Sequence, residues 1–193
     1  SMGFGMEPIY VEIAEPTKTN YISPRSLLSL VTERLKEMKV NFIAEDSIRF
    51  DVVNQRVYLY GKAFIKYGDI ELNAGEIDFD FKTKTVKARP IIDSNGNETS
   101  LPVFKEGDQS FTAKSMDYNF DSKKGLVIQA KTKQDDGYLH GEIIKNHSSH
   151  EQHIKNAKYT TCSLDHPHYY FGISKAIKKE DVIVAGPLMV YVN

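Results

Sequence analysis

Three histidines, His147, His150 and His153, recur at intervals of three residues, with His140, His166 and His168 close by in the chain. Three imidazoles are enough to hold a transition metal. The spacing fits no standard metal-binding motif, and Ser148-Ser149 with Glu151-Gln152 read as a mobile polar connection, so the expectation is an adventitious metal or none. Cys162 is the single cysteine, which forbids a disulfide within the chain. A lone Cys is most often a small buried apolar group. The sequence offers no Ser-His-Asp spacing, glycine-rich phosphate loop or Cys-x-x-Cys pair, so it predicts no enzyme class, no catalytic residue and no cofactor.

The elements that would position these residues are mostly strands. The chain has 193 residues, enough for one domain with a sizeable core. Its 25 basic and 26 acidic residues leave a formal charge of −1, so no global field draws it to nucleic acid or to an anionic surface. No apolar run reaches the ~20 residues of a spanning helix, and Ser1-Met2-Gly3-Phe4-Gly5 reads as a cloning remnant rather than a signal peptide. Residues 1–40 form a lead-in. Within it, Leu27, Leu28, Val31, Leu35 and Met38 make one apolar stripe, predicting an amphipathic helix over about 23–39 with Ser23 as N-cap and Pro24 at its first position.

Over 41–193 the apolar period changes to two, which predicts antiparallel β structure. Strands are expected at Arg56 to Lys66, Ile70 to Ala74, Glu76 to Phe81, Thr85 to Arg89, Phe111 to Phe120, Leu126 to Thr132 and Tyr138 to Ile144. Ile91 to Gly107, with Asn95-Gly96-Asn97 and Pro102, reads as a long surface loop. Three segments share one pattern, Ser47 to Val57, Glu76 to Val86 and Ser115 to Leu126. Each is an apolar/acidic alternation, a polar turn and a returning strand. Ile48 to Ile77 spans 29 positions and Ile77 to Met116 spans 39, an excess of roughly the size of the Ile91 to Gly107 segment. Hairpins repeated at near-constant period cannot bury their own apolar faces and must stack.

Alternation places Val57, Leu59, Ala63 and Ile65 on one face of a strand and Tyr58, Tyr60 and Phe64 on the other; Ile77, Phe79 and Phe81 likewise oppose Asp78 and Asp80. Two arrangements satisfy this equally: sheets closed on an ordinary core, or sheets that splay and leave an apolar channel. Tyr58, Tyr60, Tyr67, Tyr169 and Tyr170 also leave open a polysaccharide-binding jelly-roll module that stacks sugars on tyrosine rings.

Ala44-Glu-Asp-Ser-Ile48, Val57-Tyr-Leu-Tyr-Gly-Lys-Ala63 and Ile70-Glu-Leu-Asn-Ala-Gly-Glu-Ile77 resemble the OstA-type repeat of lipopolysaccharide-transport bridge proteins. Met116-Asp-Tyr-Asn-Phe120, Gly137-Tyr-Leu-His-Gly141 and Tyr159 to Tyr170, with its Thr-Thr-Cys and His-Pro-His, are similar to the N-terminal periplasmic domain of the outer-membrane lipopolysaccharide-assembly (OstA/LptD) family, in its Bacteroides-like form. The resemblance implies an antiparallel OstA-like β-jelly roll, or folded β-strip, that carries lipid A acyl chains between its sheets without chemistry. It implies a location at the periplasmic face of the outer membrane and docking by strand addition to a bridge protein of the same fold. The partners it implies are lipopolysaccharide, that bridge protein, and the barrel and plug lipoprotein of the full-length assembly; this chain would be the soluble domain ahead of the barrel. The expected groove-liners are Ile48, Phe50, Leu59, Ile65, Leu72, Ile77, Phe79, Met116, Tyr118 and Ile128. Cys162, after Thr160-Thr161, would be a reduced thiol here and a partner in an interdomain disulfide in the full protein. The lead-in has no counterpart in the family.

Overall fold

The computed structural model describes residues 40–192 apart from Asp135, Ser149, Asp165, His166 and Asp181, together with Ser29 and Glu33. Ser29 and Glu33 are helical; the rest of the expected 23–39 helix lies outside the described residues.

The three sequence repeats become three superimposable turns, and the reason is local. The fifth residue of each repeat accepts a hydrogen bond from the amide of the eighth: Asn54 to Asp51 at 2.9 Å, Thr83 to Asp80 at 3.0 Å and Ser122 to Asn119 at 2.8 Å. Short Asx side chains bond nearby amides in this way and so set turns. The ninth residue, Gln55, Lys84 or Lys123, is left-handed, with φ of 56°, 53° and 58°. Its carbonyl accepts from the sixth residue of the next copy, Phe81 N to Gln55 O at 2.9 Å and Phe120 N to Lys84 O at 3.0 Å. The copies therefore stack through their turns as well as through their strands.

From these hairpins the chain builds one 13-stranded antiparallel sheet. Its strands are β1 (Val40–Ile43), β2 (Ser47–Asp51), β3 (Arg56–Tyr67), β4 (Ile70–Asp80), β5 (Thr85–Arg89), β8 (Val103–Glu106), β9 (Gln109–Thr112), β10 (Ser115–Asn119), β11 (Gly125–Gln134), β12 (Gly137–Ser148), β13 (Glu151–Thr160), β14 (Tyr169–Lys179) and β15 (Val182–Val192). A two-stranded ribbon, β6 (Ile91–Ile92) with β7 (Glu98–Thr99), stands apart. The expected loop over Ile91 to Gly107 is therefore a ribbon followed by a sheet strand. Asn95-Gly96 is itself the ribbon's turn, with Gly96 at φ 82°, and β8 turns Phe104 inward while pairing with Ile70 to Asn73. The expected strand Phe111 to Phe120 is broken at Ala113-Lys114, and β4 runs through the gap expected at Gly75.

A crease crosses the sheet and folds it into two facing halves. One half of β3 pairs with β2 and the other with β1; one end of β4 pairs with β5 and the other with β8. At the crease β3 carries Gly61 at φ 77°, where a Cβ would lie 2.3 Å from the Asp46 carboxyl group, and β4 carries Gly75, where it would lie 2.4 Å from the Ile91 backbone nitrogen. Glycine suits position 61 through its left-handed φ and position 75 through the backbone that approaches it. In the longer strands the crease runs through Gln129, Glu142, Asn156, Ser174 and Pro187, which stand opposite one another in register but make no ladder pair. Pro187 has no N–H to offer a ladder, and Gln129 and Asn156 are left-handed. The architecture is an all-β folded strip of jelly-roll type.

Candidate functional site

The two halves close tightly at one end and separate toward the other. In β3, β4, β5 and β10 the inward residues Leu59, Ile65, Leu72, Ile77, Phe79, Val86 and Met116 are fully buried. Rings seal this end: Phe79 packs on Phe120 at 5.6 Å between centroids, Tyr67 stacks on Phe120 at 5.2 Å, and Phe42 meets Phe50 edge-on at 5.7 Å. Burial pushes the Tyr118 hydroxyl well above its ordinary pKa, with the charge of Glu106 adding to the effect, so that ring remains neutral. Farther along, the interior shrinks to Ile154, Ala157 and Ala176, flanked by half-buried Leu139, Ile144 and Ile173.

Residues directly opposite across an antiparallel ladder share a face. The inward row therefore runs Val127–Ile144–Ile154–Ala176–Ala185 on one half and Ala130–Gly141–Ala157–Ile173–Leu188 on the other. At β15 that face is open: Ile183, Leu188 and Val190 are 52%, 57% and 59% exposed. A cleft of about 360 Å³ lies between the halves, walled by Phe111, Val127, Ala130, Leu139, Ile144, Ile154 and Ile183, with Lys133 and Lys178 at its rim. It shares Asp108, Gln109, Phe111, Asn146 and Gln152 with a second, more polar space of about 410 Å³ that reaches Ser148, Tyr118 and the Lys123–Glu106 ion pair. Asn146, which lines both spaces, has a buried Oδ1 with no hydrogen-bond partner. The arrangement is an apolar trough with one polar end. An alkyl chain fits the first part, and hydrogen-bonding groups fit the second.

Of the ten groove-liners expected from sequence, Phe50, Leu59, Ile65, Leu72, Ile77, Phe79 and Met116 lie in the closed core, and Tyr118 lies in it while also bordering the polar space. Ile48 is half-buried at the border of the core. Ile128 pairs with Ser115 and Ile143 on the opposite face, because Val127, opposite Met116, is the inward residue. The apolar cleft is walled by β9, β11, β12 and β13 with Lys178 and Ile183 from β14 and β15, and its inner face opens at β15; none of the cleft residues was among those expected. One signal was present: Val182 to Val192 is an uncharged run of eleven residues that serves as the edge strand.

The histidine-bearing segment is a β-hairpin, not a mobile connection, because the ladder of β12 and β13 continues to Ser148 and Glu151. His147 and His153 stand 4.3 Å apart between ring centroids, and His153 Nε2 lies 2.8 Å from Glu151 Oε1. His150 is in the turn, and among the described residues no three His, Cys, Asp or Glu side chains are grouped to hold a metal ion. Cys162 is half-buried, with Sγ 3.8 Å from His168 Nδ1. The tyrosines do not share a platform. Tyr67 is stacked into the core, Tyr58 lies under Arg49 on β3, and Tyr170 stacks on Tyr191 at the far edge.

No protein-family model matches the chain, and no curated protein matches it. Among solved structures it is similar to LptH, the LptA-homologous periplasmic component of the lipopolysaccharide transport device of Pseudomonas aeruginosa, with a TM-score of 0.46 and 16% identity over 57% of this chain and 77% of that one.

Proposed function

We propose that this chain is a non-enzymatic carrier of lipopolysaccharide, acting at the periplasmic face of the outer membrane as part of its assembly. The observation that carries the reading is the trough: an apolar inner face continuous with a packed core, yet more than half exposed at Ile183, Leu188 and Val190. Sheltering each CH₂ is worth ~0.8 kcal/mol, so a chain of about a dozen carbons gains on the order of 10 kcal/mol gross. That favours a channel lined by aliphatic side chains over reacting groups, and an open one lets cargo leave. In this reading β9 and β11 to β15 contact the acyl chains. The residues expected to line the groove, from Ile48 to Tyr118, form the closed end against which the trough ends, and the polar space by Asn146 and Gln152 receives hydroxyl and amide groups.

Among the described residues no strand pairs with the outer edge of β15, which a strand from a bridge protein of the same fold would extend. The barrel and plug lipoprotein remain partners on the sequence resemblance alone, as does an interdomain disulfide through Cys162. The test is photocrosslinking to purified lipopolysaccharide from a probe at Ile183, with a probe at Phe79 as control. An adduct at Ile183 and none at Phe79 is expected; no adduct at Ile183 under saturating lipid refutes the reading.

A further inference from the structure

Carriage uses the inner face of the last strands, and strand addition uses their edge. Neither accounts for the outer face. Register places Lys155, Lys175 and Gly186 in one outward row, Lys158, Gly172 and Met189 in the next, and Glu151, Lys179 and Val182 in another. Val182, Val184, Met189 and Tyr191 on the outer side of β15 are 62%, 67%, 50% and 43% exposed. A strand added at the edge would leave these side chains uncovered, because it pairs the backbone and not the face. Beside this apolar ridge lie the exposed side chains of Lys155, Lys158, Lys175 and Lys179. The acidic groups near them are Glu151, which accepts from His153 at 2.8 Å and pairs with Lys179 at 3.5 Å, Glu142, which accepts from the Asn156 side chain between Lys155 and Lys158, and exposed Glu180 in the turn after Lys179. Lys158 sits 4.8 Å above the Tyr170 ring, which stacks on Tyr191 at 4.8 Å between centroids. Tyrosines with one apolar and one wet end, beside aliphatic side chains and a ring of lysines, suit the boundary between lipid headgroups and acyl chains.

The geometry points to this outer face as a docking surface for an anionic lipid bilayer. The apolar ridge of β15 enters the interface, and the four lysines meet phosphate headgroups. A second copy of the chain is disfavoured on the same face, since an isologous contact would oppose lysines to lysines. The chain's net charge conceals the patch, because its carboxylates are spent elsewhere, as at Asp78 and Asp80 beside Arg56.

The test is co-sedimentation of the full chain with phosphatidylglycerol–phosphatidylcholine vesicles and with pure phosphatidylcholine vesicles. Retention is expected on the anionic vesicles only, weakening as salt rises. Reversing two lysines, K155E with K175E, is expected to weaken it at least tenfold, since each lysine near an anionic surface contributes about 1 kcal/mol. The outer pair V184S with M189S is expected to weaken it as well. The inner pair L188N with V190N separates this surface from cargo uptake, because it alters the trough alone. If the inner pair abolishes vesicle retention while the outer pair does not, or if pure phosphatidylcholine retains the protein equally, the bilayer-docking surface is overturned. Retention that depends on the lysines but not on Val184 and Met189 likewise overturns it, because the ridge then does not enter the bilayer.

Discussion

Truncating Phe79 and truncating Leu188 should have opposite consequences, although both residues face the same interior. Phe79 is fully buried, and Phe79→Ala leaves a cavity beside Phe81 and Phe120; such changes cost about 3–5 kcal/mol. Leu188 is 57% exposed, so Leu188→Ala forfeits at most the covered 43% of a side chain worth about 1.5–3 kcal/mol, or about 0.6–1.3 kcal/mol. Bound lipid would cover the remainder, about 0.9–1.7 kcal/mol, which corresponds to about 5- to 20-fold in affinity. Urea unfolding followed by far-ultraviolet circular dichroism measures the first effect. Displacement of a fluorescent lipopolysaccharide, at a temperature where both variants are folded, measures the second. Phe79→Ala should lose stability and keep affinity; Leu188→Ala should lose affinity at a stability cost of no more than about 1.3 kcal/mol. If folded Phe79→Ala loses as much affinity as Leu188→Ala, the lipid reaches the closed end and the division into core and trough is refuted.

Hydrogen bonds from the Asn54 side chain and backbone hold the Asp51 carboxyl below its ordinary value of 3.8. Its contribution is therefore complete above that value and disappears as pH falls through the depressed one. Asp51→Asn, which keeps the acceptor that Asn119 supplies in the third repeat, should flatten this acid limb of a pH-dependent urea midpoint at little cost, whereas Asp51→Ala should lose about 1 kcal/mol at neutral pH. Gln55→Gly should raise stability by about 0.5 kcal/mol, the relief of a left-handed residue less the added chain entropy, and a drop in the urea midpoint would contradict it. Sedimentation velocity should show association that rises with concentration, through the free edge of β15, and Val190→Lys should suppress it. Thiol titration of the native chain should find the half-buried, unbridged Cys162 reactive, and a native thiol that resists modification would contradict it.

The repeats were legible because their information is local. An Asx residue, a polar turn and an alternating strand lie within eleven positions, and the hydrogen bonds that stack the turns link the same positions in successive copies. The crease was less legible. Gly61 and Gly75 mark it in β3 and β4, but Gln129, Glu142, Asn156 and Ser174 carry no common chemical type. They are united only by register, which is settled when the strands pair. The Ile91 to Gly107 segment was misjudged for a related reason. β8 has only four residues, and what makes it a strand is its partner β4, not its own alternation.

The question left open by alternation, closed core or splayed sheets, has a graded answer, and the gradient follows side-chain size. At the closed end the inward positions carry Phe79, Phe120, Phe104, Tyr118 and Met116, large enough to bridge the gap between the half-sheets. Along the strip the row of Met116 continues as Val127, Ile144 and Ile154, and the row on the facing half carries Ala130 and Gly141, so aliphatic and small side chains replace the rings. Small residues cannot fill a gap that two creased sheets hold open, so the cleft begins where the rings end. Alternation records only that a position faces inward; whether it meets a partner there depends on volume across the gap, between residues distant in sequence. Filling that gap should therefore close the trough without disturbing the ladder. Ala130→Phe, at the cleft wall, is expected to reduce lipopolysaccharide binding while leaving far-ultraviolet circular dichroism unchanged, and undiminished binding by a folded Ala130→Phe would show that the cleft is not the path of the lipid.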